Sequence, residues 1–399
     1  MSVPFEPSRA AGLERLAAFV PKAGRAYAEG RNTDFGPGRP SAVSQLSPWL
    51  RYRLVSEEEV CAAVLERHPL AAAEKYVQEV LWRTYWKGWL EMRPGVWDRF
   101  LDERDRQREA YLDDARLAAA EQGRTGIEGF DDWARELVET GWLHNHARMW
   151  FASIWIFTLK LPWALGADFF LRHLIDADPA SNTLSWRWVA GLQTAGKTYL
   201  ATADNIARYT EGRFAPKGLA EIDEPLTEPP LPSPAALPAA GQGVWSGPAL
   251  LLVTSEDLSP DAAIWRTGET GAALVVADPD LLWGDKARTF VTTAAGDAAS
   301  RLSAAHGFEV EQGGRLDADA LIAAARAASV RTIVTPYAPV GPVASRLAAI
   351  APVLAADGIN LVQQRRHWDD SFWPHARKGF FPFKQHMGRL LEELGLTRT

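Results

Sequence analysis

The sequence contains one cysteine, Cys61, in 399 residues. A single thiol excludes a disulfide framework and, within one chain, a four-thiolate zinc or iron–sulfur site, and no metal is expected. Long apolar runs are missing as well: none reaches the roughly 18 uncharged residues that a membrane span needs. The opening residues, MSVPFEPSRAAGLERL, lack the basic-then-apolar order of a secretory leader, so the expected location is the cytoplasm. Surplus positive charge is also absent. With 43 basic and 50 acidic residues the formal net charge is -7, which excludes a protein that simply coats nucleic acid with basic surface. Contact with a polyanion would have to come from a local patch. Neither G-x-G-x-x-G nor G-x-x-x-x-G-K-[ST] follows an apolar run, so the common dinucleotide and phosphate-loop fingerprints are missing, and there is no internal repeat.

What is abundant is tryptophan, 17 residues, of which twelve precede a proline-rich stretch and five follow it. That stretch, PLTEPPLPSPAALP at 225–238, carries too many prolines for helix or sheet and reads as a stiff, partly extended linker. It divides the chain into three expected parts: residues 1–222, a linker over 223–246, and residues 247–399. In the first part AAAEKYVQEVLWRTYWKGWLE, FDDWARELVETGW and ARMWFASIWIFTLKLPW repeat apolar residues near the 3.6 period of a helix. Asp178-Pro179 pairs an N-cap residue with a proline at the first helical position. The second part alternates short apolar runs (ALLLVTS, AALVVAD, RTFVTT, RTIVTPY, INLVQQ) with Ala-rich stretches such as ADALIAAARAA and VASRLAAIAPVLAADG, a parallel α/β pattern.

Four clusters carry chemistry. Tyr76, Glu79 and Arg83 share one helix face, with Trp82 and Trp86 beside them. Read alone, this is either a functional face or a half-buried helix holding a Glu79–Arg83 ion pair at i, i+4. Asn145, Arg148 and Met149 set polar groups within a Trp-rich apolar segment, where buried polar groups need partners. Asp176, Asp178, Asn182, Trp186 and Trp188 surround a helix start, which suits a polar ligand or plain capping. Ser44 and Ser47 flank a helix start whose free N–H groups suit a phosphate.

Taken together these segments resemble, in order and spacing, the flavin-binding helical domain of the DNA photolyase and cryptochrome superfamily over residues 25–215. Ser44-Gln45-Leu46-Ser47-Pro48-Trp49-Leu50 looks like the family's Ser-x-Leu-Ser-Pro-Tyr-Leu phosphate loop. Tyr76 to Arg83 looks like its aromatic-x-x-Glu-x-x-Trp-Arg helix, and Thr140 to Met149 like its Thr-Gly-Trp-Met-His-Asn-Arg-x-Arg-Met. Asp176-Ala177-Asp178 through Asn182 to Trp186-Arg187-Trp188 is similar to its Asp-Gly-Asp-x-x-x-Asn and Trp-x-Trp. The fold implied is a mainly α, photolyase-type FAD-binding domain followed by a smaller α/β Rossmann-like domain with a parallel sheet. Most of the family has the reverse order. The arrangement resembles a bacterial photolyase-like subgroup of inverted domain order, whose α/β domain closes over the FAD site and whose repair favours single-stranded DNA.

The resemblance implies that Tyr27, Ser44, Gln45, Leu46, Ser47, Tyr76 and Arg83 hold FAD, and that Asn145, Arg148, Asp176, Asp178 and Asn182 surround its ribityl and ring groups, with Arg148 paired to Asp176 and Asn182 near N5. Glu79, Trp82, Met149, Asn182 and Trp188 would receive a flipped-out cyclobutane pyrimidine dimer. Trp186 and Trp163 match the first two members of the family's electron relay, with Trp133, Trp150 and Trp155 as candidates for a third. Arg51, Arg53, Arg187 and Lys197 are the expected DNA phosphate contacts, set against the alternative of a solvated face. The implied activity is light-driven dimer repair by electron transfer from photoexcited reduced FAD, in a monomer whose partner is UV-damaged DNA. The alternative is a cryptochrome-like blue-light receptor without repair. His146 stands where many repair enzymes carry Arg, and the lone Cys61 separates the chain from the iron–sulfur branch.

Overall fold

A computed structural model describes residues 5–39, 41–238, 245, 247–260 and 270–397. The first half is helical: α1 (Arg9–Phe19), α2 (Arg25–Gly30), α3 (Ser47–Arg51), α4 (Glu57–Arg67), α5 (Leu70–Glu91), α6 (Gly95–Ala110), α7 (Ala115–Glu121), α8 (Phe130–Thr140), α9 (Asn145–Ser153), α10 (Trp163–His173), α11 (Pro179–Val189) and α12 (Ala203–Tyr209). Local chemistry sets several of these boundaries. Ser56 and Glu59 cap α4 reciprocally, each side chain accepting from the other's backbone N–H. Asp178 accepts from the Ser181 N–H at 2.7 Å and Pro179 opens α11, as the Asp-Pro pair predicts.

The helix α5 is the axis of the molecule. Its first turns bury one stripe (Ala73, Tyr76, Val77, Val80), while Thr84 to Glu91 are buried on every side. The reason is that its C-terminal half runs between α11 and the second half of the chain. Close approach there depends on Gly88: a Cβ would lie 2.9 Å from the Trp373 backbone. A second close approach, between α10 and α11, depends on Gly166, where a Cβ would sit 2.3 Å from the Trp186 ring.

The second half is a five-stranded parallel sheet of β1 (Ala249–Thr254), β2 (Thr270–Val276), β3 (Glu311–Gly313), β4 (Thr332–Pro336) and β5 (Asn360–Gln364), in the order β3-β2-β1-β4-β5. Every β1 residue is buried, because both faces are covered. Leu251 and Val253 join the core shared with the helical half, whereas Leu250 and Leu252 pack with Leu321, Leu347 and Leu354 from the helices Ala318–Ala327 and Pro342–Ala356.

One expected strand is not a strand. Arg288–Thr293 lies inside the helix Asp285–His306, which buries Ala287, Phe290, Val291, Ala294, Ala295 and Ala298 along one side. The β-branched run mimics a strand over six residues, and the 3.6 period emerges only when the alanines after it are counted. The polar edge strand β3 has no such signal.

The two halves share a core: the Phe290 ring lies 6.4 Å from that of Trp49 and 5.7 Å from that of Tyr52. Between them, residues 223–238 form neither helix nor strand and lie along the helical half. The Leu226 N–H donates to the Ala190 carbonyl at 3.0 Å and the Ala235 N–H to the Met92 carbonyl at 2.9 Å. The expected linker's residues 239–244 and 246 lie outside the described residues. Among the described residues no helix is long and apolar enough to cross a membrane.

Candidate functional site

The helical half encloses a cavity of about 670 Å³, within the range that holds cofactors and drug-sized ligands. Its wall gathers segments far apart in sequence. Tyr27 comes from α2, Ser44, Gln45, Leu46 and Ser47 from the turn into α3, and Tyr76, Glu79, Trp82 and Arg83 from one face of α5. Asn145, Arg148 and Met149 come from α9, Asp176 from the turn before α11, and Asn182, Trp186 and Trp188 from α11 itself. Leu46, Asn182 and Trp186 are buried in the interior, Trp82, Met149 and Trp188 are half-buried, and Asn145 is exposed at the edge.

Arg31, Tyr199 and Tyr209 also line the cavity, although the sequence did not single them out. Arg31 was legible in principle, since it lies four residues after Tyr27 and so shares its side of a helix. Its guanidinium pairs with the Glu79 carboxylate. The Glu79–Arg83 pair open from the sequence does not form; Arg83 instead lies 3.4 Å from Asp178. Burial raises the Glu79 carboxyl above its ordinary value, with Arg31 and Lys75 opposing.

The interior wall is electrostatically ordered. Arg148 donates from Nη2 to Asp176 Oδ2 at 3.0 Å and from Nε to the Leu143 carbonyl at 3.0 Å, an arrangement that fixes the guanidinium. The Asn182 side-chain amide donates to the Ala167 carbonyl at 2.8 Å, which holds it in the wall. His146 has Nδ1 2.9 Å from the Asn32 carbonyl and Nε2 3.2 Å from the Tyr199 hydroxyl, and stacks on Trp150 with centroids 4.1 Å apart. Burial lowers its pKa, so it contributes little positive charge at the position where the family resemblance expects Arg.

Behind the cavity, Asp178 is not a lining residue but the support of the wall. Burial alone would raise its carboxyl, but Lys87, Arg83 and Arg51 hold it well below the usual carboxylate range, while it caps α11.

Several expectations need correcting. Arg51, Arg53 and Arg187 cannot meet DNA phosphates, since all three are buried in ion pairs. Arg51 clamps Glu256 with contacts of 2.7 and 2.9 Å, Arg53 donates to both Asp369 oxygens at 2.8 and 2.7 Å, and Arg187 pairs with Glu228 of the proline-rich stretch. These partners lie 41 to 316 residues away, beyond the i, i+4 neighbour Glu57 that Arg53 also approaches at 3.5 Å, and no local pattern reveals them. Lys197 is exposed. Among the described residues the α/β half, expected to close over the site, contributes no lining side chain, every one falling between Tyr27 and Tyr209. That half packs against α3 and α5, through the Arg51 and Arg53 clamps and through Phe380 stacked on Trp82. Trp163 does not line the cavity; it lies beside Phe100, with centroids 5.6 Å apart. Among the described residues the tryptophan in ring contact with Trp186 is Trp155, at 6.2 Å and 86°.

Some wall atoms lack partners. Asp176 Oδ1, Ser181 Oγ and Trp186 Nε1 are buried, belong to lining residues and have no hydrogen-bond partner. Buried orphans of this kind are rare unless a ligand satisfies them. Here the carboxylate accepts while the other two can donate, so the complementary ligand carries both donors and acceptors along a polar edge, with apolar faces for the tryptophans. A flavin dinucleotide has that character.

Residues 76–216 match the model of the FAD-binding domain of DNA photolyase. The deoxyribodipyrimidine photo-lyase of Streptomyces griseus is 38% identical over 154 residues, 38% of this chain and 33% of that protein. A photo-lyase of Thermus thermophilus is 35% identical over 194 residues, 49% of this chain and 45% of that one. The crystal structure of a class III photolyase from Agrobacterium tumefaciens aligns with a TM-score of 0.42 at 28% identity, over 51% of this chain and 44% of its own. The family match is to an FAD-binding domain, and the cavity that residues 76–216 help to line is the candidate site for that cofactor. The chain spans a third to just under half of the length of these curated relatives.

Proposed function

We propose that the protein repairs cyclobutane pyrimidine dimers in DNA in a light-driven reaction, with a single strand as its preferred substrate. The observation that carries this reading is that Glu79, Trp82, Met149 and Trp188 border the same cavity as Arg148, Asp176 and Asn182. One set suits a stacked pyrimidine pair and the other the cofactor. Bound FAD would supply light absorption and one-electron transfer.

The chain's own residues supply the rest. Ser44, Gln45, Leu46 and Ser47 offer hydroxyl and backbone N–H donors to phosphates. The Arg148–Asp176 pair and the Asn182 amide hold a polar ring edge. Trp82 and Trp188 offer faces for bases, each stack contributing about 1–3 kcal/mol, and with Met149 they exclude water. Glu79 bridges both protonation states: protonated, it donates to a pyrimidine carbonyl; ionised, it accepts from a ring N–H. Trp186 in the wall, with Trp155 in ring contact with it, is proposed to carry electrons to the cofactor.

The test is to illuminate the FAD-loaded, reduced protein with a dimer-containing single-stranded oligonucleotide under blue light and follow the thymine absorbance. Recovery in light and none in darkness is expected. No recovery from protein with reduced FAD bound would reject repair of this lesion and favour a photoreceptor.

A further inference from the structure

With Arg51, Arg53 and Arg187 buried, phosphate contacts must come from elsewhere on the surface. The cavity's edge leads to the α/β half. Trp82, which lines the cavity, is covered on one face by Phe380, the rings stacked 3.6 Å apart at 10°. The next residue, Phe381, is 77% exposed, an unusual state for phenylalanine. One residue ahead of them, before Gly379, lie Arg377 and Lys378, both exposed and, among the described residues, without an ion-pair partner. The backbone of this segment is fixed: the Lys378 carbonyl accepts from the Tyr85 hydroxyl at 2.8 Å and the Arg377 carbonyl from Arg93 Nη2 at 2.8 Å. Tyr85 in turn touches Trp82, with centroids 5.6 Å apart. An exposed aromatic ring and two free cations therefore sit on a rigid turn continuous with the cavity wall. That combination, a stacking platform beside positive charge, is how single-stranded nucleic acid is held without regard to sequence.

We propose that residues 377–381 form a DNA-strand contact in the α/β half: a base neighbouring the lesion stacks on Phe381, and the flanking phosphates are met by Arg377 and Lys378. This rests on the reading that the cavity receives its substrate from DNA. It gives the α/β half a task at the cavity's border even though it lines none of the interior. The trailing half of the chain then serves as the second jaw of a strand clamp.

The experiment measures binding of a fluorescent, undamaged single-stranded oligonucleotide to the full FAD-loaded chain in darkness, across a salt series. Phe381→Ala is expected to weaken binding at least about fivefold, as loss of one base stack requires. Arg377→Gln with Lys378→Gln should reduce the slope of log K against log salt by roughly 1.4, two single-strand phosphate contacts at about 0.7 each. Arg331→Gln, an exposed cation at the far end of β4, should change neither. All these side chains are exposed, and an unchanged flavin absorbance and circular dichroism spectrum confirm folding. Parental affinity and slope in the 377–381 variants, or equal weakening by Arg331→Gln, would overturn the surface. A parent that binds no strand would overturn it together with the repair reading. Weakened dark binding by the variants of a parent that binds strands but repairs no dimer in light would uphold the surface and sink only the repair reading.

Discussion

Two regions of this protein use the same pairing of arginine with carboxylate, and they differ in how far the pairing is completed. At the interface between the halves, Arg51 meets both oxygens of Glu256, Arg53 both oxygens of Asp369, and Arg366 both oxygens of Asp257, at 2.6 to 2.9 Å. In the cavity, Asp176 has one oxygen on Arg148 and the other, buried, on nothing. At the joint these three carboxylates are fully met, although Arg53 Nε and Glu57 Oε1 beside them also lack hydrogen-bond partners; what sets Asp176 apart is that it borders the open cavity, where a ligand can supply the missing partner. Buried arginine is therefore no guide to function until its partners are counted.

The sharpest way to break the comparison is at the joint. Arg53→Gln leaves Asp369, Glu57 and Asp257 around an absent cation, and removing one partner from a buried ion pair costs on the order of 3–5 kcal/mol. Urea unfolding monitored by tryptophan fluorescence should show a large fall in midpoint, with both halves affected because they share a core. A loss below about 1 kcal/mol would mean that these pairs are not what joins the halves. At the cavity the prediction is opposite in kind. Asp176→Asn keeps the shape and removes the acceptor charge, so the fold should persist while FAD binds more weakly, by roughly tenfold or more for a charged hydrogen bond of about 1.5–3 kcal/mol. Titration of the apoprotein with FAD checks this; unchanged affinity would place the flavin away from Asp176.

The contrast also explains what could be read in the sequence. The helices of the first half follow from 3.6-residue apolar spacing, and the Asp178-Pro179 start is where its residues imply. The strands β1, β4 and β5 follow from short apolar runs. Arg288–Thr293 misled because its five β-branched and aromatic positions look alike in strand and helix. The lining of the cavity was legible as clusters of polar residues in apolar helices, each with a spacing that shares a face. The arginines of the joint were not, because a guanidinium's fate is set by carboxylates such as Asp369, 316 residues away from Arg53. Sequence places a charge on a face; only the fold says whether that face is wet.

Not every carboxylate at the joint is answered by a cation, which gives a third test. Glu91 is buried and accepts from the Tyr337 hydroxyl at 2.6 Å and the Val340 N–H at 2.5 Å. Burial, the largest influence, outweighs those bonds and Arg365 and pushes its pKa up to about 7. A raised carboxyl pKa favours the protonated form in the folded state. Its contribution is therefore complete below the ordinary value near 4.5 and is lost as pH climbs through about 7. Relative to Glu91→Gln, the parent should lose stability on the order of 3 kcal/mol across that window, measured by urea midpoints at successive pH values. Parallel pH profiles would show that Glu91 stays ionised in the fold.

The smallest expected effect lies where the two regions touch. Phe380, from the α/β half, stacks on Trp82 of the cavity edge, and an aromatic pair contributes about 0.5–1.5 kcal/mol beyond its buried area. Phe380→Leu keeps most of the apolar volume but gives up the stack, so overall stability should fall by only about 1 kcal/mol. The ring of Trp82 would no longer be held parallel to a fixed neighbour. If Trp82 is a face on which a pyrimidine pair rests, affinity for a dimer-containing strand should drop a few-fold while FAD affinity stays constant, since Phe380 touches none of the polar wall. A matching loss of FAD affinity would mean instead that the α/β half steadies the whole cavity through α5, making the joint and the cavity one mechanical unit rather than two regions with separate tasks.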